Sequence, residues 1–357
     1  MKKYSLAGFV SPLTRKELIL KDGSFITADG SERYELRHGV PILLPSGVQP
    51  NWDRELIEAI LWQHPEIIAE MKTEMQKRRK KYGYAYDPNL LYCEYTEKTF
   101  TDKKGITEAL DSYADSDTAQ WKAEKNGFYA DEAQQKNNFR KYSKWNTGRK
   151  RVKNVKKSLN GKGWAKHYPY YVSEVFKNNP NKILELSTGA GGGTCAICIS
   201  KPSNCTAYTM DIDWVCHGNT IGIGKYLRCR DTLIPVTANF WWMPFADGFF
   251  DAVCTHYGLD ESRENGKTFA ETARVLKSGG RFIVTSRKNA FMRQCRVLEN
   301  FGFTESETVK LMKKCRMYAD VDTMIQECGK HGLIIESQKE FRISENHISV
   351  VTVFVKD

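Results

Sequence analysis

Residues 183–193 read Ile183-Leu184-Glu185-Leu186-Ser187-Thr188-Gly189-Ala190-Gly191-Gly192-Gly193, an apolar run that passes straight into a glycine-rich turn. Such a run, bounded by glycine, predicts a buried strand followed by a tight turn into a helix. Missing side chains let backbone amides approach a ligand at the helix N-terminus. Asp211 follows twenty residues after Gly191, at the end of the next apolar run, Thr206-Ala207-Tyr208-Thr209-Met210. A carboxylate there can accept hydrogen bonds from both hydroxyls of a ribose, so the layout is that of a nucleotide-binding α/β unit. Thr194 stands where a dinucleotide G-x-G-x-x-G pattern needs its last glycine, and no Gly-Lys-Ser/Thr phosphate loop is present in the turn.

Further motifs come in order. Residues 238–251 read Ala-Asn-Phe-Trp-Trp-Met-Pro-Phe-Ala-Asp-Gly-Phe-Phe-Asp, with Asn239 at the polar position. A helical stretch over 268–276, a Lys277-Ser278-Gly279-Gly280 turn and a strand over 281–284 come next. Together these resemble the S-adenosylmethionine-dependent methyltransferases of the Rossmann-like class, over about residues 160–357. The resemblance implies an α/β sheet with helices on both faces and S-adenosyl-L-methionine as cofactor. It places Glu185, Ser187, Gly189 and Gly191 around the methionine portion, Asp211 on the ribose, Ile212 against the adenine, and Asn239 with Phe240 at the adenine edge. Ser187 departs from the pattern, since the family has a glycine there, and serine has less backbone freedom.

A chain of 357 residues predicts two or three compact units. No apolar run reaches membrane-spanning length, and the N-terminus lacks the long apolar stretch of a secretory signal. Nine of the ten cysteines lie in the C-terminal half and read as buried thiols of a reducing compartment, so a cytoplasmic location is expected. Cys195 and Cys198 form a lone C-x-x-C whose alternatives are a metal or redox site and helix packing; without a second ligand pair the packing reading is favoured, and no metal site is expected.

Three segments are expected. Residues 1–48 suggest short strands around the Lys21-Asp22-Gly23 turn, closing on Tyr34-Glu-Leu-Arg-His-Gly-Val-Pro-Ile-Leu-Leu-Pro45. This part resembles the zinc-ribbon-like module that partners some methyltransferases. Ser11 and Thr14 stand at its first cysteine pair and Thr27 with Gly30 at the second, so the module is expected to bind no zinc and to be held by its apolar core alone. Residues 49–157 are helical in pattern, with Ile67, Ile68, Met71 and Met75 on one face after Pro65 and the run Lys77-Arg-Arg-Lys-Lys81 at a helix end, and they suggest a substrate cap. Residues 158–357 form the methyltransferase domain.

Charge is uneven. Residues 136–182 hold fourteen lysines and arginines against the single acid Glu174, an excess larger than the +11 of the whole chain. Interleaved aromatics such as Trp145, Trp164 and Tyr170 suit an RNA partner, and equally a linker helix or a wall attracting an anionic small substrate. Methyl transfer from a sulfonium is an in-line displacement dominated by alignment. Where the nucleophile carries a proton, His256 and Tyr257, after the fourth strand, are the catalytic candidates, His256 first because its pKa suits a base; the alternative is that it only orders the loop. Phe291, Met292, Phe301, Phe303, Met312 and Met317 read either as a pocket cap or as core. The expected function is methylation of a small-molecule acceptor. Methylation of RNA, as by ribosomal-RNA guanine methyltransferases, is the first alternative, and a non-catalytic cofactor-binding scaffold the second.

Overall fold

The computed structural model describes residues 8–45, 103–115, 132–260, 265–288, 295, 298–299, 301–315, 320–344 and 347–357. Near the N-terminus, β1 (Leu18–Lys21), β2 (Ser24–Thr27), β3 (Arg33–Arg37) and β4 (Val40–Pro41) form an antiparallel sheet. Helices α1 (Lys103–Asp115), α2 (Glu132–Tyr142), α3 (Trp145–Leu159) and α4 (Tyr168–Phe176) lead into β5 (Lys182–Leu186). Then come α5 (Gly192–Ser200), β6 (Thr206–Asp211), α6 (His217–Leu227), β7 (Leu233–Thr237) and β8 (Phe250–His256). The chain closes with α7 (Asn265–Val275), β9 (Leu276–Arg287), α8 (Glu305–Lys314), α9 (Val321–Gly329), β10 (Leu333–Ser344) and β11 (His347–Lys356).

The large sheet has the order β7-β6-β5-β8-β9-β11-β10, with β5 to β9 parallel and β11 antiparallel to both its neighbours. Strands β5 to β8 are buried along almost their whole length, as a parallel sheet covered on both faces requires. The chain enters at β5, winds outward to β7 and returns to β8 on the other side. The loops after β5 and β8 therefore diverge, which opens a crevice at the carboxyl edge of these two strands.

Alternate residues feed two cores. Ile183, Ala207 and Ile283 pack with Val152, Val155, Tyr171, Val175 and Ile223 of the helices on one face, and buried Cys195 and Cys198 of α5 belong to this cluster. Leu184, Tyr208, Val253 and Phe282 join the other, with Phe269, Met324, Ile106 and Leu110. Phe303 and Met312 are buried there and Phe301 packs against it, so these three are core; Phe291, Met292 and Met317 lie outside the described residues. The helix expected over 268–276 begins at Asn265. The expected turn over 277–280 is a bulge within β9: Phe250 pairs with Leu276 and Ala252 with Arg281, leaving four residues looped out opposite Asp251. Lys277 Nζ reaches Asp251 at 2.5 Å, which holds the bulge closed.

The N-terminal sheet is fused to the second core through Phe9, Phe25, Tyr34 and Leu43, with Phe9 5.6 Å from the Phe245 ring. Contrary to expectation, apolar burial is not its sole support. Ser11 Oγ and Tyr34 Oη each donate to Glu32 Oε2 at 2.5 Å, Thr14 Oγ1 donates to the other carboxylate oxygen, and Thr27 Oγ1 donates to Asp29 at 2.7 Å. Three of the four positions compared with zinc ligands, Ser11, Thr14 and Thr27, thus converge on two carboxylates of their own chain, while the Gly30 N–H bonds the Thr27 carbonyl. The runs 65–75 and 77–81 lie outside the described residues. No helix among the described residues is long and apolar enough to cross a membrane.

Helix α3 reaches the crevice because it crosses α6 backbone to backbone. A Cβ on Gly148 would stand 2.0 Å from the Gly222 carbonyl oxygen, and one on Gly222 would stand 2.6 Å from that of Tyr142. Neither neighbour is a side chain that can swing aside. Gly148→Ala should therefore lift α3 and cost about 1–3 kcal/mol by overpacking, read as a lower urea midpoint at unchanged slope. A fully neutral substitution would contradict the tight crossing.

Candidate active site

At the carboxyl edge of β5 and β8 lies a cavity of about 350 Å³. Three pieces of chain line it: the β5 end and loop (Glu185, 187–190, Gly192 and Gly193), the β8 end (His256, Tyr257, Gly258), and a roof from α3 and the segment leading into α4 (Asn146, Thr147, Lys150, Arg151, Asn154, Val155, Ser158, Trp164, Tyr168).

Glu185 shares a face with Ile183 and is buried beneath the N-terminus of α5. Thr194 Oγ1 donates to its Oε2 at 2.5 Å, and a Cβ on Gly193 would meet its Oε1 at 2.4 Å, so only glycine fits above the carboxylate. Burial, with Asp211 nearby, raises the Glu185 pKa to about 8. Gly189 and Gly191 have φ of +45° and +77°, the left-handed turn expected of them. Asp211 Oδ2 accepts the Gly189 N–H at 2.8 Å and Oδ1 the Asp213 N–H at 2.9 Å; burial raises its pKa to about 6. Asn219 of α6 donates to the Gly189 carbonyl at 3.2 Å and accepts from Arg151 Nη2 at 3.2 Å. The roof, the glycine loop and the acid on β6 are thereby one hydrogen-bonded chain.

His256 and Tyr257 face this loop across the cavity. His256 Nε2 lies 2.9 Å from His167 Nε2, with the rings stacked at 5.1 Å. Burial, reinforced by His167, Arg287 and His347, pushes the His256 pKa well below 6.5, so the ring is neutral at physiological pH. Burial pushes His167 down to about 3. Two neutral imidazoles share one hydrogen here, one donating and one accepting. Tyr257 holds φ +63°, and its hydroxyl is tied to Ser349 and, at 3.3 Å, to His347.

Glu185, Ser187, Gly189, His256 and Tyr257 therefore share one cavity, with Gly191 at the loop's end and Asp211 joined through Gly189. The structure does not bring Ile212, Asn239 and Phe240 to the cavity wall. Ile212 packs with the Phe139 and Trp214 cluster, Asn239 Oδ1 caps the Trp241 N–H at 2.9 Å, and Phe240 packs against the second core. Sequence reasoning missed Asn219, whose role depends on α6 lying over the loop. It also left the inward face of α3 unassigned, although Asn146, Lys150, Asn154 and Ser158 fall at the four-residue spacing of one helix face.

Ser187 adopts φ +60°, a conformation that costs a side-chain-bearing residue about 1–2 kcal/mol. Its Cβ occupies space beside Gly258: a Cβ built there would stand 2.2 Å from Ser187 Cβ and 2.7 Å from Thr255 Oγ1. Ser187→Gly should stabilise the fold by about 0.5–1 kcal/mol, strain relief offset by glycine's entropy. Gly258→Ala should cost about 2–3 kcal/mol, and less in the Ser187→Gly background, where one clash is gone. A urea-unfolding double-mutant cycle with equal losses in both backgrounds would refute this coupling.

Residues 184–284 match a family described as methyltransferase domain. A ubiquinone/menaquinone biosynthesis C-methyltransferase of Francisella philomiragia is 30% identical over 108 residues, 29% of this chain and 42% of the relative. That of Bartonella tribocorum is 32% identical over 115 residues, 31% and 43% of the two chains. The chain thus spans less than half the length of the curated relatives it matches. Among solved structures, geranyl diphosphate C-methyltransferase of Streptomyces coelicolor superposes with a TM-score of 0.42 at 12% identity, covering 54% of this chain and 79% of that one. The N-methyltransferase NodS of Bradyrhizobium japonicum gives 0.41 at 13%, over 54% and 95%. The glycine loop on the first parallel strand, the acid ending the second, the sheet order around them and the family match over the same residues agree: residues 184–284 of this chain are similar to a methyltransferase domain and lie within a Rossmann-like sheet.

Proposed function

We propose that the protein transfers the methyl group of S-adenosylmethionine to a small-molecule acceptor. The observation that carries this reading is the single cavity that joins the Glu185 and glycine-loop cradle to His256 and Tyr257 across the switch point of the sheet. The cradle fits the cofactor's methionine end: Gly193 leaves no side chain over a buried carboxylate, and the loop leads directly into the N-terminus of α5. Asp211 has lone pairs left for ribose hydroxyls. S-adenosylmethionine supplies the electrophilic methyl group; the chain's part is alignment and exclusion of water. Neutral His256, its ring fixed by His167, can accept a hydrogen bond from the acceptor and orient it, whereas the burial that holds its pKa well below 6.5 opposes full proton transfer and corrects the expectation that its pKa suits a base. Of the segment expected as a cap, α3 roofs the cavity, and the described N-terminal strands within residues 8–45 buttress the far side of the sheet. The alternative of an RNA acceptor gains nothing from the relatives, whose names assign them small-molecule biosynthesis.

Two measurements test the cofactor half. Asp211→Ala should weaken S-adenosylmethionine binding by on the order of 2–4 kcal/mol in calorimetry, through lost charge-assisted hydrogen bonds and a loosened Gly189. Unchanged affinity would remove Asp211 from the site. The raised pKa values of Asp211 (about 6) and Glu185 (about 8) mean that both hold protons at low pH, whereas a cationic cofactor favours their ionised forms. Binding should therefore release protons and strengthen from pH 6 to 7.5, by up to roughly tenfold per unit for each proton released. Glu185→Gln should flatten the profile; an identical profile would assign the proton elsewhere.

A further inference from the structure

We infer that the acceptor carries an anionic group, a carboxylate or a phosphate, and that Lys150 with the side-chain amides of Asn146 and Asn154 receives it at the mouth of the cavity. The inference rests on the methyl-transfer reading above and names the class of molecule that reading leaves open. Three observations support it. First, Asn146, Lys150 and Asn154 follow one another at one-turn spacing on the cavity face of α3, so they present a single polar ridge, while Arg149, Lys153, Lys156 and Lys157 do not line the cavity. The Gly148 crossing with Gly222 fixes that rotation of the helix, so the ridge is not a chance orientation of a solvated lysine run.

Second, the charge in the roof of the cavity is one-sided. Its cations are Lys150 and Arg151, and the one carboxylate of the cavity wall, Glu185, lies at the floor beneath α5, on the cofactor's side. Arg151 is engaged by Asn219 over the glycine loop. Lys150 is exposed and makes no ion pair or hydrogen bond among the described residues, although its neighbour is so engaged.

Third, the cofactor would add a positive sulfonium to these walls. A cationic acceptor would meet like charge from the roof and from the donor, whereas an anion is drawn inward by both. The small volume and the flanking Trp164, 41% exposed at the rim, suit a compact molecule with one charged end held outward and its nucleophile directed toward His256.

The test uses the full chain saturated with S-adenosylhomocysteine, titrated by calorimetry with inorganic phosphate and, separately, succinate. At least one should bind saturably, and which one identifies the anion. Lys150→Gln should weaken that binding roughly tenfold, Lys150→Arg should hold it within about threefold, and Lys157→Gln, off the ridge, should leave it unchanged. Affinity for S-adenosylhomocysteine should be the same in all four proteins. Anion binding that is absent or indifferent to Lys150→Gln, with the cofactor product still bound, would overturn the proposal and leave the methyltransferase reading standing. A parallel loss of S-adenosylhomocysteine affinity in Lys150→Gln would assign Lys150 to the cofactor's own carboxylate and overturn it as well. Salt-sensitive binding of an RNA oligonucleotide that needs both Lys150 and Lys157 would replace it with a polyanion. Failure of the unsubstituted protein to bind S-adenosylhomocysteine would bring down the methyl-transfer reading itself.

Discussion

A carboxylate on the innermost strand of a parallel sheet is expensive to bury, and the architecture around Glu185 is arranged to make that burial tolerable. Thr194 supplies a hydroxyl from the helix above, and Gly193 omits the one side chain that would collide with the carboxylate. Those two requirements dictate how closely α5 sits on β5, hence where the amides of the glycine loop point and where Asp211 meets Gly189. Burial with Asp211 nearby still raises the Glu185 pKa to about 8, and a positive charge placed beside it would favour its ionised form.

The features legible in the sequence were local or strictly ordered. The β5 run and its glycines encode their own turn, and Asp211 is read from its place at the end of the next apolar run. Lys21 and Ser24 sit either side of a two-residue turn that Asp22-Gly23 announces by itself. Illegible were contacts made by segments distant along the chain. That Ile212 faces the Phe139 cluster, or that Asn239 caps its own loop, depends on α2 and on residues 241–243. The bulge at 277–280 looked like a free turn because its closing partner, Asp251, lies on another strand. The inward ridge of α3 was hidden within a basic run whose charges are indistinguishable until Gly148 meets Gly222.

The N-terminal sheet shows a different kind of hidden order. Residue types that rule out thiolate ligation do not reveal that their hydroxyls will find carboxylates, since Glu32 and Asp29 carry no pattern that distinguishes them from surface acids. In the fold, Ser11 and Thr27 are buried and each must be satisfied, so a short-range polar network complements the ring contacts that Phe9 makes with Phe25 and Phe245. Arg15 extends the same logic outward, binding the Met243 carbonyl and Glu271 and so tying the small sheet to the segment beyond β7.

The contact between Ser187 and Gly258 has a historical consequence. Because the serine's Cβ fills the space that a side chain at 258 would need, the two positions are not free to change in either order. A lineage with glycine at both can accept serine at 187 in one step, at the cost of a strained backbone. A lineage with a side chain already at 258 meets a barrier first. Position 258 therefore gates what position 187 can become, and relatives with bulk at 258 should retain glycine at 187.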